Sequence, residues 1–164
     1  MGRLKPGAGG VMTVFIDADG CPVVNITVKI CREFSVKCII ICDTSHLIKR
    51  EGAETITVEK GADSADFYLV NMIKEGDIAV TQDYALAAMC LARKALVINQ
   101  DGREYNDLNI DALLLSRYTA KKIRAAGGRL KGPSKRKDSQ NEAFEKALRK
   151  LISEALAVDK ENLK

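Results

Sequence analysis

The sequence predicts a three-layer α/β/α domain with a mainly parallel central sheet. Two observations carry this: short apolar runs of strand length alternate with segments of helical spacing, and the strand runs are apolar at nearly every position. Strands apolar on both faces need cover on both faces, which is how helices flank a parallel sheet. The 164 residues suit one domain, and 46% hydrophobic with 29% charged residues is a balance able to bury a core.

Met1 to Val11, with Gly7-Ala8-Gly9-Gly10, reads as a disordered leader, and Met12 just before the first strand is a candidate start. The domain then runs over 12–157, with 158–164 as a flexible tail. Predicted strands are Thr13 to Ile16, Val36 to Cys42, Thr55 to Val58, Ile78 to Thr81 and Ala95 to Ile98. Helical spacing fills Val23 to Phe34, Ser64 to Lys74, Tyr84 to Arg93 and Asn109 to Ala126. Gly127-Gly128 ends the last of these. A basic loop leads to a final amphipathic helix from about Asp138 to Ala157, with Ala143, Phe144, Ala147, Leu148, Leu151 and Ile152 as its buried stripe.

Composition excludes several classes. No apolar run approaches the roughly 18 residues that span a bilayer, and the first ten residues lack the apolar centre of a signal peptide, so a cytoplasmic protein without a membrane partner is expected. The five cysteines are odd in number and contain no Cys-x-x-Cys, which argues against a disulfide framework or a zinc knuckle. They read mainly as small buried hydrophobes, with Cys21 a lesser candidate nucleophile that lacks an evident base, His46 being the only histidine.

Charge is unevenly spread. The net charge is +4, yet Arg117, Lys121, Lys122, Arg124, Arg129, Lys131, Lys135, Arg136 and Lys137 form a block without an acid, leaving the rest of the chain net negative. Such a block suits the phosphate backbone of a nucleic acid; it equally suits a solvated helix face followed by a basic loop.

Val14-Phe15-Ile16-Asp17-Ala18-Asp19-Gly20-Cys21-Pro22 is the stretch richest in chemistry. Two acids spaced i and i+2 on an extended chain point the same way. Crowded, partly desolvated carboxylates raise each other's pKa, and a bound cation relieves them. In an open parallel sheet, ligands collect beyond the carboxyl ends of the strands. Asp83, after the strand ending at Thr81, falls at that edge, as do Asp63 and Asp66 at the start of a helix. Each acid also has a structural reading: Asp17 as a residue that solvates the strand end, Asp19 as a cap for the next helix, Asp63 or Asp66 as a cap or dipole partner, Asp83 as the cap of the helix from Tyr84. Oxygen ligands without His or Cys suit Mg²⁺ or Mn²⁺. Thr81 and Asn99 are strand-end polar residues that could position water or substrate.

The chain resembles the YaiI/YqxD family of bacterial proteins, whose fold is regarded as related to PIN-type nuclease domains. The resemblance spans about Met12 to Ile152. It is carried by Asp17 to Val23, Ala62 to Asp66, Gly76 to Asp83 with Leu86-Ala87, Gly102 to Tyr105, Arg117-Tyr118, Lys131 to Pro133, and Phe144 with Leu148. It implies a PIN-like sheet and a divalent-metal, nuclease-like site at Asp17, Asp19, Asp63, Asp66 and Asp83, with Asp17, Asp19 and Asp83 central to catalysis. It also implies a nucleic-acid partner, RNA favoured over DNA by analogy, near the basic C-terminal region; a homo-oligomer is compatible with it. The chain departs from the PIN pattern where another acid commonly follows the next strand: Asn99-Gln100 come first, and Asp101 stands in a turn before Gly102. It departs from the family pattern at Asp138-Ser139-Gln140-Asn141, where a basic residue usually follows the acid.

Two other function classes fit the same residues. A strand followed by Asp-x-Asp-Gly also opens the haloacid-dehalogenase phosphatases, which would make Asp17 a covalent nucleophile and Asp19 the acid for the leaving group. A noncatalytic module that binds metal and nucleic acid is the third.

Overall fold

The computed structural model describes residues 12–43, 47–61, 64–130 and 134–162. The expected leader and Lys131, Asp63 and His46 lie outside the described residues. In chain order the elements are β1 (Thr13–Asp17), α1 (Val24–Glu33), β2 (Lys37–Asp43), β3 (Glu54–Val58), α2 (Ser64–Met72), β4 (Ile78–Val80), α3 (Tyr84–Ala92), β5 (Leu96–Ile98), β6 (Glu104–Tyr105), α4 (Ile110–Ala125) and α5 (Asp138–Asn162). The α/β class is as the sequence predicts. Two elements differ from expectation: the two-residue strand β6 is too short to leave a periodic signal, and α5 continues to Asn162 rather than stopping at Ala157.

The six strands lie in the order β3-β2-β1-β4-β5-β6, parallel except for β6, which pairs antiparallel with β5. Successive side chains of a strand point to opposite faces, and the core divides accordingly. Val14, Ile16, Cys38, Ile40, Ile78 and Val80 pack with residues of α1 and α5. Phe15, Ile39, Ile41, Ala79 and Val97 pack on the other face with α2, α3 and the start of α4. That is the three-layer sandwich.

The stripe of α5 is buried at Phe144, Leu148, Leu151 and Ile152, whereas Ala143 stays exposed. One residue is about 100° of helix, so Ala143 sits on the flank. There its carbonyl lies against Gly102, where an added Cβ would stand 2.7 Å from Ala143 O. By contrast, α4 buries Ile110 at its start and little beyond it. Helix α4 lies against α3 and leaves Leu115, Tyr118 and Ile123 exposed.

The chain order places a topological switch at the centre. From β1 the chain builds outward through β2 and β3, then crosses back to lay β4 on the other side of β1. Connections diverge there, opening a crevice at the carboxyl ends of β1 and β4.

Candidate functional site

Asp17 is the last residue of β1, in register with Ile41 of β2, and Ile16 pairs with Val80 of β4. The next turn of chain after each strand therefore lands on one edge. Thr81, 1% exposed, follows Val80 and donates its Oγ1 hydrogen to Asp17 Oδ2 at 2.7 Å. The same hydroxyl accepts the backbone N–H of Asp83 at 3.0 Å. Tyr105 steadies the turn from below, its hydroxyl donating to Thr81 O at 3.3 Å and its ring edge-on to Tyr84.

Asp17, Asp19, Asp66 and Asp83 line one open cleft of about 700 Å³, together with Asp43, Gln82, Tyr84 and Arg117. The sequence-predicted acids are thus brought together, apart from Asp63, which is not described. Burial pushes the Asp17 carboxyl above its ordinary value; the Thr81 hydrogen bond opposes this, and the charges of Asp83 and Asp19 add to it. Asp19 takes the backbone N–H of Asp43, at 3.1 and 3.5 Å to its two oxygens. It does not cap α1, whose N-cap is Val23 without a side-chain cap bond. Gln82 Nε2 donates to Gly20 O at 2.9 Å and ties the loop after β4 to the loop after β1.

Asp83 does cap α3. Its Oδ1 accepts Ala85 N–H at 2.9 Å and Leu86 N–H at 3.3 Å, and Arg117 Nη1 stands 3.2 Å from the same oxygen. Asp83 thus caps α3 and lines the cleft with the same side chain. Among the described residues of the basic block, Arg117 lines the cleft.

The rest of the block divides. Lys121, Lys122 and Arg124 lie exposed along α4, and Arg129, Lys135 and Lys137 are exposed beyond it. Lys122 Nζ lies 4.9 Å from the centre of the exposed Tyr118 ring. Arg136 is committed elsewhere: its guanidinium reaches Asp101 Oδ1 at 2.8 Å, Gln100 O at 2.6 Å and Asn141 Oδ1 at 2.8 Å. It clamps the turn after β5 to the start of α5. Cys21 is poorly suited to nucleophilic attack, because burial pushes its thiol up to about 11 and keeps it protonated at neutral pH.

Sequence reasoning missed Asp43 and Gln82. Asp43 carried a signal, since an acid ending the second parallel strand must reach the same edge as Asp17. Among the described residues, no three acid, His or Cys side chains stand together as a ready-made metal cage. The donor set is nonetheless all oxygen, and Mg²⁺ characteristically keeps several waters while using one or two carboxylates and substrate phosphates. An open, carboxylate-lined cleft fits that mode of binding.

The arrangement defines an α/β domain with an acidic cleft at the switch point of a parallel sheet. Residues 15–154 match the profile of the family described as "Uncharacterized BCR, YaiI/YqxD family". The chain is 48% identical over 143 residues to a "UPF0178 protein" of Exiguobacterium sibiricum, covering 87% of this chain and 98% of that one. It is likewise 48% identical over 137 residues to one from Ruminiclostridium cellulolyticum, covering 84% and 90%. A relative from Enterococcus faecalis is 38% identical over 148 residues, 88% of this chain and the whole of that one. No solved structure gives a significant match. The chain belongs to the YaiI/YqxD family.

Proposed function

We propose that this protein is a divalent-metal-dependent phosphodiesterase acting on nucleic acid, RNA in preference to DNA by analogy with PIN domains. The observation that carries the reading is the gathering of Asp17, Asp19, Asp66 and Asp83, with Arg117, around one cleft above the switch point. Asp17 would hold Mg²⁺ or Mn²⁺ with Asp83, assisted by Asp19 and Asp66. When bound, such an ion neutralises phosphoryl oxygens and makes a water more acidic. Thr81 fixes the Asp17 carboxylate by its 2.7 Å hydrogen bond, so the ligand is oriented before anything binds. Arg117 supplies a guanidinium suited to phosphate oxygens, and the lysines of α4 give sequence-independent attraction to the backbone.

The test is incubation of labelled RNA and DNA oligonucleotides with Mg²⁺ or Mn²⁺, using wild type and Asp17→Asn. Internal cleavage that needs the ion and disappears in Asp17→Asn supports the reading. Binding of ion and oligonucleotide without cleavage would replace it with the noncatalytic module. An acyl phosphate on Asp17 with release from small phosphomonoesters would replace it with the phosphatase.

A further inference from the structure

We infer that Arg117 is a resident counter-ion of Asp83 that an incoming phosphate group draws away, so that the cleft takes up its divalent ion and its phosphodiester cooperatively. The inference rests on the phosphodiesterase reading and specifies how that site is loaded.

Three donors meet at Asp83 Oδ1: Ala85 N–H at 2.9 Å, Leu86 N–H at 3.3 Å and Arg117 Nη1 at 3.2 Å. The two amides belong to the first turn of α3 and move only if that helix frays. Arg117 differs in kind. Its side chain is 56% exposed, and it stands on a stretch of α4 that is exposed from Leu115 to Thr119. Exposed ion pairs are weakly held, because water and salt screen them and two long side chains must be ordered to form them. A guanidinium gains more from a phosphate, whose oxygens can accept two of its N–H groups in parallel. The same Arg117 is therefore placed to leave one anion for another within a single cleft.

The rest of the cleft makes that exchange consequential. Asp17, Asp19 and Asp83 crowd their charges at the strand edge, and Arg117 offsets part of that repulsion in the ligand-free protein. A divalent ion entering alone meets this positive charge beside one of its candidate carboxylates. An ion held by one or two carboxylates of the cleft also keeps positions that substrate oxygens can take. A phosphodiester answers both at once: it gives Arg117 another partner and supplies oxygens to the ion. Because linkage is reciprocal, whatever factor phosphate adds to ion affinity, the ion adds to phosphate affinity. The device also gives a selectivity that carboxylates alone lack, since free ion without substrate leaves the arginine in place.

The experiment is calorimetric titration of Mn²⁺ into the full chain, alone and with a saturating phosphorothioate RNA oligonucleotide that resists cleavage, for wild type, Arg117→Ala and Arg117→Gln. Arg117 is exposed, so both variants should fold, and circular dichroism checks that they do. Wild type should bind Mn²⁺ about tenfold more tightly with the oligonucleotide than without it. Both variants should bind Mn²⁺ alone about threefold more tightly than wild type does, and their gain from the oligonucleotide should fall to about threefold or less, on the scale of an exposed ion pair. Equal Mn²⁺ affinity and equal gain in wild type and variants would overturn the role of Arg117 while leaving the phosphodiesterase reading intact. Absence of Mn²⁺ binding by all three proteins, with and without oligonucleotide, would overturn the metal site itself and this inference with it.

Discussion

The Thr81 hydroxyl donates to Asp17 at 2.7 Å and accepts the backbone N–H of Asp83 at 3.0 Å, linking the two central acids of the cleft through one buried oxygen. Thr81→Val keeps the shape but removes both bonds, leaving a part-buried amide and a part-buried carboxylate each short of a partner. A loss of about 1–3 kcal/mol is expected by chemical denaturation. The Asp17 carboxyl should rise further, because the interaction that opposes its burial is gone. The acid limb of Mn²⁺ binding should therefore move to higher pH in Thr81→Val and return in Thr81→Ser.

Asp17 also makes stability depend on pH. Its folded-state pKa lies above the ordinary value of 3.8, chiefly through burial. Such a group favours folding fully below the unfolded pKa, and that contribution is lost as pH rises through the folded one. At pH 7 the ionised carboxylate is a burden on the fold. Asp17→Asn should accordingly raise the Tm by a few degrees at pH 7, the advantage shrinking as pH falls toward 4. Thermal melts at both pH values test this, and an Asp17→Asn protein less stable than wild type at pH 7 would refute it.

Arg136 and the α4 lysines should separate under mutation. Arg136→Ala strips three hydrogen bonds from a clamp only 23% exposed, and should cost about 1–3 kcal/mol of stability. Replacing Lys121, Lys122 and Arg124 together should leave stability nearly unchanged. It should weaken RNA binding and flatten its dependence on salt by about one unit of log–log slope for each phosphate no longer neutralised. Equal salt slopes in triple variant and wild type would mark these residues as solvated surface.

Gly102 provides a packing test outside the lining of the cleft. It has φ +86°, and a Cβ there would lie 2.7 Å from the Ala143 carbonyl oxygen and 3.0 Å from Ala147 Cβ. Gly102→Ala should therefore lose about 1–3 kcal/mol, since backbone strain and a backbone clash act together. Gly76, also at positive φ but with open space around it, should lose less on the same change.

Much of this architecture is legible in the residues alone. Val14, Phe15 and Ile16 are apolar without alternation, which is what a strand buried on both faces requires. The edge on which Asp17, Asp66 and Asp83 meet follows from parallel strands alone, because every strand must then end on the same side. What escapes a reading of the sequence has equally physical causes. Asp43 is reachable by the same rule, but leading into Thr44-Ser45 it reads first as the start of a loop. Arg136 can be counted as a charge, but its acid Asp101 lies 35 residues away in the chain, and no local pattern records that pairing. Leu115, Tyr118 and Ile123 sit at spacings compatible with an apolar face, yet α4 leaves them in solvent; periodicity gives the helix and says nothing of what it meets.

The place of β4 beside β1 also bears on how the protein is made. Asp17 and Thr81 are 64 residues apart in sequence, and β1, β2 and β3 are all synthesised before β4 emerges. A nascent chain that has released Val58 but not Thr81 holds its first three strands while its acidic edge still lacks the hydroxyl and the second half of the cleft. The lining of the cleft is complete only after Arg117 has left the ribosome, so a truncated product would carry much of the sheet without the finished crevice.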